Sequence, residues 1–228
     1  MENDIEQKLS PAGELIRYAL KTGAIQLSLS GFRVNNERLS PYLFKPELLY
    51  NGEGANFLAD AYVSVIVKRF ADVDVLYGAM ASIVAMRAVS VEGGFNIGYA
   101  FNNSKTENND DRGSLRQLKD KRVVIIIDDV DVSESCIEAV GVIHANGGKP
   151  IGGIITFDQM ERGYDYLKKA DRSLSVVQEL EKILKVPFFA AATLTDLIIV
   201  LETANKIGDD QIGVFLAMII DYQRKYGV

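Results

Sequence analysis

A strand–helix–strand unit at residues 123–158 constrains this chain more than any other feature. The β-branched run Val123–Ile127 ends in the acidic pair Asp128-Asp129, and a helical pattern over Cys136–Ala145 leads to a second apolar strand at 151–157. This order predicts parallel strands joined by a helix. Ligands bind at the carboxyl ends of the strands in open α/β sheets, so we expect the two carboxylates to lie at a ligand site.

The segment between the first strand and the helix, residues 130–135, is predicted to be a turn. Because backbone N–H groups at a helix amino terminus hold anions, a sugar phosphate would suit this turn, with its hydroxyls on the carboxylates. Glu134 places a negative charge where the phosphate would lie. We interpret Ser133 and Ser135 as helix caps, with anion binding as the alternative. An ordinary acidic turn is the alternative interpretation of Asp128-Asp129.

Composition excludes several classes of protein. The chain of 228 residues has a net charge of −6 and no basic stripe, which argues against a general nucleic-acid surface. Its apolar runs are far shorter than the ~20 residues of a membrane span, and its polar start, Met1–Asp4, is unlike a secretory signal. The single cysteine, Cys136, fits a reducing compartment and a packed core position, so we expect a cytoplasmic protein.

Metal chemistry is limited in the same way. One histidine, His144, and one cysteine cannot build a zinc site of the usual kind. Any metal would need carboxylate and water ligands, which suits magnesium. His144 is interpreted as a residue near a helix end rather than as a catalytic base.

Strands alternate with helices along most of the chain, which predicts an α/β fold with a mostly parallel twisted sheet and helices on both faces. We expect one domain over 1–228, with a small hood formed by roughly 1–50 and parts of the C-terminal region. Residues 31–41 are predicted to be a loop or hairpin, and the polar tract 102–113 a solvated loop rather than a lid. The predicted helices follow Ser10-Pro11 and cover about 55–70, 80–91, 136–145, 174–184, 193–205 and 209–226, and the predicted strands cover 25–29, 73–77, 95–101, 123–127, 151–157 and 186–190.

Six segments carry a family resemblance that runs nearly the whole length of the chain. In order they are Ser40–Phe44, Asp74–Gly78, Tyr99–Asn102, Ile126–Val130, Phe157–Gly163 and Tyr222–Val228. Together they resemble the orotate phosphoribosyltransferases, a branch of the type I phosphoribosyltransferases, and the chain looks like a diverged member.

The resemblance implies the type I phosphoribosyltransferase fold and a place in pyrimidine nucleotide biosynthesis. That family of glycosyltransferases moves a phosphoribosyl group from phosphoribosyl pyrophosphate to orotate with magnesium, yielding orotidine monophosphate and pyrophosphate, and it forms dimers. The binding positions that the resemblance implies here are Arg38, Phe44, Ser82, Asp128, Asp129, Val132, Ser133, Glu134, Ser135, Cys136 and Gln159.

The departures from the family pattern lie where its chemistry needs cations. Pyrophosphate leaves with several negative charges, which must be stabilised by positive groups. Arg38 remains in the hood, but neutral or acidic residues replace the loop cations, the diphosphate-loop lysine, the hood lysine and the base-contacting arginine. The replacements are Asn103, Ser104, Glu107, Asn109, Ala81-Ser82, Asn35 and Gln159. We therefore predict no catalytic residue.

The phosphate turn is altered as well. The family has small Thr-Ala-Gly-Thr residues where this chain has Val132–Ser135. A unit charge on Glu134 at ~5 Å from a phosphate charge costs about 3 kcal/mol at an effective dielectric near 20. Since ~1.4 kcal/mol is tenfold in affinity, binding of the sugar donor should fall by orders of magnitude.

The expected function is therefore that of a non-catalytic homologue, without cofactor, acting through association with itself or with an active enzyme of the pathway. The first alternative is an active orotate phosphoribosyltransferase with magnesium, in which Lys105, Arg112 and Arg38 supply positive charge. The second is a binding module for a neutral or cationic small molecule at the acidic turn. No nucleic-acid or membrane partner is expected.

Overall fold

The computed structural model describes residues 9–34, 38–78, 84, 97–100, 115–127, 132–162, 173–206 and 210–228. Its strands are β1 (Ile25–Val34), β2 (Arg38–Phe44), β3 (Val75–Tyr77), β4 (Gly98–Ala100), β5 (Arg122–Ile127), β6 (Lys149–Asp158) and β7 (Phe188–Thr193). Its α-helices are α1 (Pro11–Thr22), α2 (Gly52–Arg69), α3 (Val132–Ala145), α4 (Val176–Leu184), α5 (Leu194–Asn205) and α6 (Asp210–Tyr226). Short 3₁₀ turns lie at Pro46–Leu49 and Arg116–Leu118.

The ends of α1 and α5 are encoded locally. The Ser10 hydroxyl accepts a hydrogen bond from the Gly13 N–H at 3.1 Å, and Gly23 ends α1 in the left-handed conformation at φ 77°. The Thr193 hydroxyl and the Asp196 carboxylate form a reciprocal capping box at the start of α5. The predictions for both helix starts and for Gly23 are confirmed.

The central sheet has five parallel strands in the order β4-β3-β5-β6-β7. Alternate residues of β5 point to opposite faces, so Val124 and Ile126 enter one hydrophobic core while Val123, Ile125 and Ile127 enter the other. A strand covered on both faces needs apolar residues at every position, which explains its unbroken β-branched run.

Helices cover both faces of this sheet. Helices α1, α2, α5 and α6 pack on one face, through residues such as Leu15, Leu58, Leu197 and Ile219, all buried. Helices α3 and α4 pack on the other face. The predicted fold class is confirmed. No helix in the described part of the chain is long and apolar enough to cross a membrane.

The expected hood contains a second, two-stranded antiparallel sheet, β1 with β2, which we call the hood hairpin. It extends beyond the predicted strand at 25–29, because residues 31–34 continue β1 and residues 38–41 belong to β2, as the hairpin alternative for this segment predicts. Its pairing is irregular between Leu27 and Phe32. Ile25 and Tyr42 bury its base in the main core.

Several predicted boundaries are wrong. Helix α3 begins at Val132 rather than at Cys136, so Ser133 and Ser135 lie within its first turns and are not helix caps. An acidic residue such as Glu134 favours the first turn of a helix, which allows the helix to start early. Strand β6 begins at Lys149 and so includes Pro150, whose missing N–H coincides with an irregular register on β5.

Other predicted elements agree only in part with the structure. Helix α2 starts three residues earlier than predicted, after the cap Asn51. Strand β7 starts two residues later than predicted. The predicted helix at 80–91, except Val84, and the loop at 102–113 lie outside the described residues.

Candidate functional site

The order of strands places a topological switch point at the carboxyl ends of β3 and β5, where a ligand crevice is expected. Strand β4 lies on one side of β3, and the chain then crosses to β5 on the other side. A crevice opens where the direction of winding reverses in this way, and ligands of open α/β sheets bind there. The acidic pair Asp128-Asp129 follows β5 directly at this reversal.

Gly78 closes the β3 side of the crevice. It has φ +142°, and a Cβ atom on it would lie 2.1 Å from the carbonyl oxygen of Ile126. Its N–H donates to the carbonyl of Ala100 at 3.0 Å. Only glycine allows this close approach of two backbones, which explains why the 74–78 segment ends in glycine.

Two buried hydroxyl groups lie within hydrogen-bond distance of the carbonyl of Ile127, the last residue of β5. The Tyr62 hydroxyl oxygen lies 3.0 Å from it and the Thr156 hydroxyl oxygen 3.3 Å. The two hydroxyl oxygens lie 2.6 Å apart, so one hydroxyl donates to the other, which in turn donates to the carbonyl. This arrangement joins α2, β5 and β6 where β5 ends and the chain turns towards α3.

The end of β6 provides a second polar edge. Asp158 is the last residue of the strand, and its carboxylate accepts the Met160 N–H at 2.8 Å. Burial raises the pKa of Asp158 above its ordinary value. Gln159 is half-buried beside it, and Met160 has φ +53°. The ring of Phe157 packs at 5.1 Å from that of Phe44 in the hood hairpin.

Glu161 is the centre of an ionic cluster next to that edge. Its carboxylate accepts hydrogen bonds from the Arg38 guanidinium at 3.0 Å, the Tyr222 hydroxyl at 3.1 Å and the Tyr42 hydroxyl at 3.2 Å. Burial raises the pKa of Glu161, while the donors from Tyr222, Arg38 and Tyr42 act in the opposite direction. The Arg38 side chain is 13% exposed and that of Glu161 is 11% exposed.

The structure describes only some of the predicted site residues. Asp128, Asp129 and Ser82 lie outside the described residues, as do the loop cations Lys105 and Arg112. Of Val132, Ser133 and Glu134 the structure gives the backbone, which forms the first turn of α3 beside the end of β5. Phe44, Gln159 and Arg38 all lie along the end of β6 or its continuation.

The two remaining predicted residues lie on α3. Ser135 is half-buried. Cys136 is fully buried in the second core, and burial raises the pKa of its thiol to about 12. The interpretation of Cys136 as a packed core residue is confirmed, because such a thiol is a poor nucleophile.

Four polar residues were not predicted from the sequence as part of the candidate site. They are Tyr62, Thr156, Glu161 and Tyr222. Tyr62 falls on the predicted inward face of its helix. Because a buried tyrosine hydroxyl needs a hydrogen-bond partner, this position could have indicated a buried polar contact. Nothing local marks Glu161, because its donors come from residues far away in the sequence. No group of three or more histidine, cysteine, aspartate or glutamate residues that would hold a metal occurs in the described ranges.

Comparison with known proteins shows which fold this architecture has. The search for a matching family model found none. A solved orotate phosphoribosyltransferase from Francisella tularensis superposes with a TM-score of 0.71 at 20% identity, covering 94% of this chain and 100% of that one. The five-stranded sheet and its hood therefore have the type I phosphoribosyltransferase fold.

Curated relatives identify the branch. The chain is 30% identical to the orotate phosphoribosyltransferase of Bordetella parapertussis, covering 96% of this chain and 98% of that protein. It is 32% identical to that of Neisseria meningitidis, covering 89% of this chain and 92% of the relative. The chain belongs to the orotate phosphoribosyltransferase family.

Proposed function

We propose that this member of the family is non-catalytic and acts in pyrimidine biosynthesis through association, with a second copy of itself or with an active enzyme of the pathway. One observation carries the proposal. Arg38, the hood cation that the sequence retains, is buried against the Glu161 carboxylate. A guanidinium neutralised in this way contributes little positive potential to a polyanionic ligand.

The sequence supports the same conclusion at the other positions. The family's loop and diphosphate-loop cations are replaced by uncharged or acidic residues, and Gln159 stands for the base-contacting arginine. Glu134 lies in the first turn of α3, where the N–H groups that favour an anion are located. A carboxylate there competes with a phosphate for these donors.

The alternative is an active orotate phosphoribosyltransferase with remodelled contacts. Relatives that carry this name match nearly the whole length of the chain, which favours it. Asp128 and Asp129 are then the residues that would hold magnesium or the ribose hydroxyls. Magnesium would neutralise part of the charge that develops on pyrophosphate.

A turnover assay separates these two functions. Purified protein is incubated with orotate, phosphoribosyl pyrophosphate and magnesium, and orotate loss is followed by absorbance. We expect no turnover above background. A rate above ~1 s⁻¹, the low end for ordinary enzymes, contradicts the proposal and supports the active alternative.

Calorimetry with phosphoribosyl pyrophosphate tests the cause. We expect no heat for the parent chain and weak binding for Glu134→Gly, which removes charge and bulk together. Glu134→Gln removes the charge alone and keeps a helix former, and Glu138→Gln, an exposed residue one turn later in α3, is the matched control. Micromolar binding by the parent chain would mean that Glu134 does not block the site.

Association is measured separately. Light scattering of the purified chain should give a mass of twice 25.1 kDa if it pairs with itself. Affinity purification from the native cell tests for a pyrimidine-pathway enzyme. A monomer that also brings down no such enzyme contradicts the association proposal.

A further inference from the structure

The hood hairpin is attached to the rest of the molecule unevenly. Its base is buried, since Ile25 is 2% and Tyr42 is 1% exposed. Its outer half has one exposed face, since Leu29 is 57% and Leu39 is 58% exposed, while Ser40, the residue after Leu39 in β2, is 2% exposed. A two-stranded hairpin is marginally stable by itself, so the position of the outer half depends on the few contacts that it makes.

The strongest of these described contacts is made by Arg38. It pairs with Val34, the last described pair at the outer end of the hairpin. Both of its terminal nitrogens donate to the carbonyl of Arg162 at 3.3 Å, and one also donates to Glu161 at 3.0 Å. The guanidinium carbon lies 4.9 Å from the centre of the Tyr226 ring.

The acceptors of Arg38 are themselves fixed by the C-terminal residues. The Arg162 N–H donates to the Tyr226 carbonyl at 2.8 Å, and its side chain donates to the Gly227 carbonyl at 2.9 Å. The Val228 N–H donates to the Met160 carbonyl at 3.1 Å. The segment 160–162 is therefore held to the C-terminal residues by these three hydrogen bonds.

The hairpin also runs along the carboxyl end of β6. Phe44 packs on Phe157 at one end of this contact, and Arg38 meets Glu161 at the other. Asp158 and Gln159 lie between these two contacts in the sequence. Moving the outer half of the hairpin changes how much of that strand end is covered.

We propose that the contact between Arg38 and Glu161 is a latch that holds the outer half of the hood hairpin closed over the end of β6. Loss of the latch opens the hairpin locally and leaves the five-stranded sheet folded. The buried base at Ile25 and Tyr42 acts as the hinge side. This device does not depend on whether the chain is catalytic.

Hydrogen–deuterium exchange of the full-length protein, read by mass spectrometry, tests the latch. In Arg38→Gln and in Glu161→Gln, we expect amides of 26–34 and 38–44 to exchange about tenfold faster, while those of β5 change less than about twofold. The increase in the double variant should be smaller than the product of the two single increases, because the two substitutions share the contact between Arg38 and Glu161.

Two further variants keep the test decisive. Arg38→Lys retains the charge but loses the second donor nitrogen and the planar contact with Tyr226, so we expect its hairpin exchange to lie between those of the parent and of Arg38→Gln. Asp221→Asn removes the exposed pair between Arg224 and Asp221 on α6 and should leave the hairpin unchanged. Uniform acceleration that includes β5, unchanged hairpin amides, or a lysine variant no better than glutamine each overturns the proposal.

Discussion

The Tyr62 hydroxyl lies 2.6 Å from the Thr156 hydroxyl, and their oxygens lie 3.0 and 3.3 Å from the carbonyl oxygen of Ile127. This carbonyl is the last acceptor of β5, at the point where the pairing of β5 with β6 stops while β6 continues beside β7. A buried carbonyl needs hydrogen-bond donors, and these two side chains place hydroxyl groups within reach of it at the end of the strand. They fix the position from which the acidic turn leaves the sheet.

Replacing Tyr62 with phenylalanine should therefore destabilise the protein by about 1–2 kcal/mol, the usual range for leaving a buried polar group with fewer partners. The ring continues to pack, and Thr156 still donates to Ile127. Urea unfolding followed by circular dichroism measures the change. Tyr99→Phe is the control, because Tyr99 is 41% exposed, and an equal effect in both variants would contradict a specific role for the buried hydroxyl.

A methyl group at Gly78 should destabilise the fold by more than about 2 kcal/mol, because a strained φ alone costs 1–3 kcal/mol. The added Cβ would also lie 2.1 Å from the Ile126 carbonyl oxygen, which is inside contact distance. Thermal unfolding of Gly78→Ala measures this loss.

Gly141→Ala provides the matched control for that substitution. Gly141 lies inside α3, and nothing approaches an added Cβ within 4 Å. Alanine there should stabilise the helix by up to about 1 kcal/mol. Similar changes in both variants would contradict the close approach of β3 and β5.

The elements that the sequence predicts best are those whose signals are local. Ser10-Pro11, Gly23 and Thr193 act within one helical turn, and the structure has each helix end there. The alternation of strands with helices and the apolar run of β5 likewise suffice for the fold class. The early start of α3 agrees with a local signal that the prediction did not use, the acidic Glu134 in its first turn, whereas Pro150 belongs to β6 through its pairing with β5.

The candidate site was only partly predictable for the same reason. The position of the acidic turn at the end of a buried strand follows from the sequence. The Glu161 cluster does not, because Arg38, Tyr42 and Tyr222 are separated from Glu161 by 123, 119 and 61 residues. A polar cluster assembled from such distant positions is visible only after the chain has folded.

Asp74 and Arg122 should make stability depend on pH below about pH 4. The backbone N–H and the side chain of Arg122 both donate to Asp74, and the side-chain hydrogen bond is the main reason that the pKa of Asp74 is lowered. A lowered carboxyl pKa gives stability that is present above the unfolded-state pKa and is lost as the pH falls through the folded-state pKa.

Urea midpoints between pH 7 and pH 2 test this expectation. In the parent chain, part of the loss of stability below about pH 4 belongs to Asp74, whose ordinary pKa is 3.8. Asp74→Asn should be less stable than the parent at pH 7, and its loss of stability on acidification should be smaller. An unchanged acid slope in the variant would mean that Asp74 does not contribute.

Cys136 should resist thiol reagents in the folded protein. It is fully buried between α3 and the sheet, and its thiol pKa of about 12 leaves almost no thiolate at pH 8. Because the thiolate is the reactive species, labelling should be roughly 10³-fold slower than for the same chain unfolded in guanidinium. Absorbance of the released aromatic thiolate from a disulfide reagent gives both rates. Labelling of the folded protein within tenfold of the unfolded rate would show that α3 opens readily. The first turn of α3 would then not hold a ligand in a fixed position.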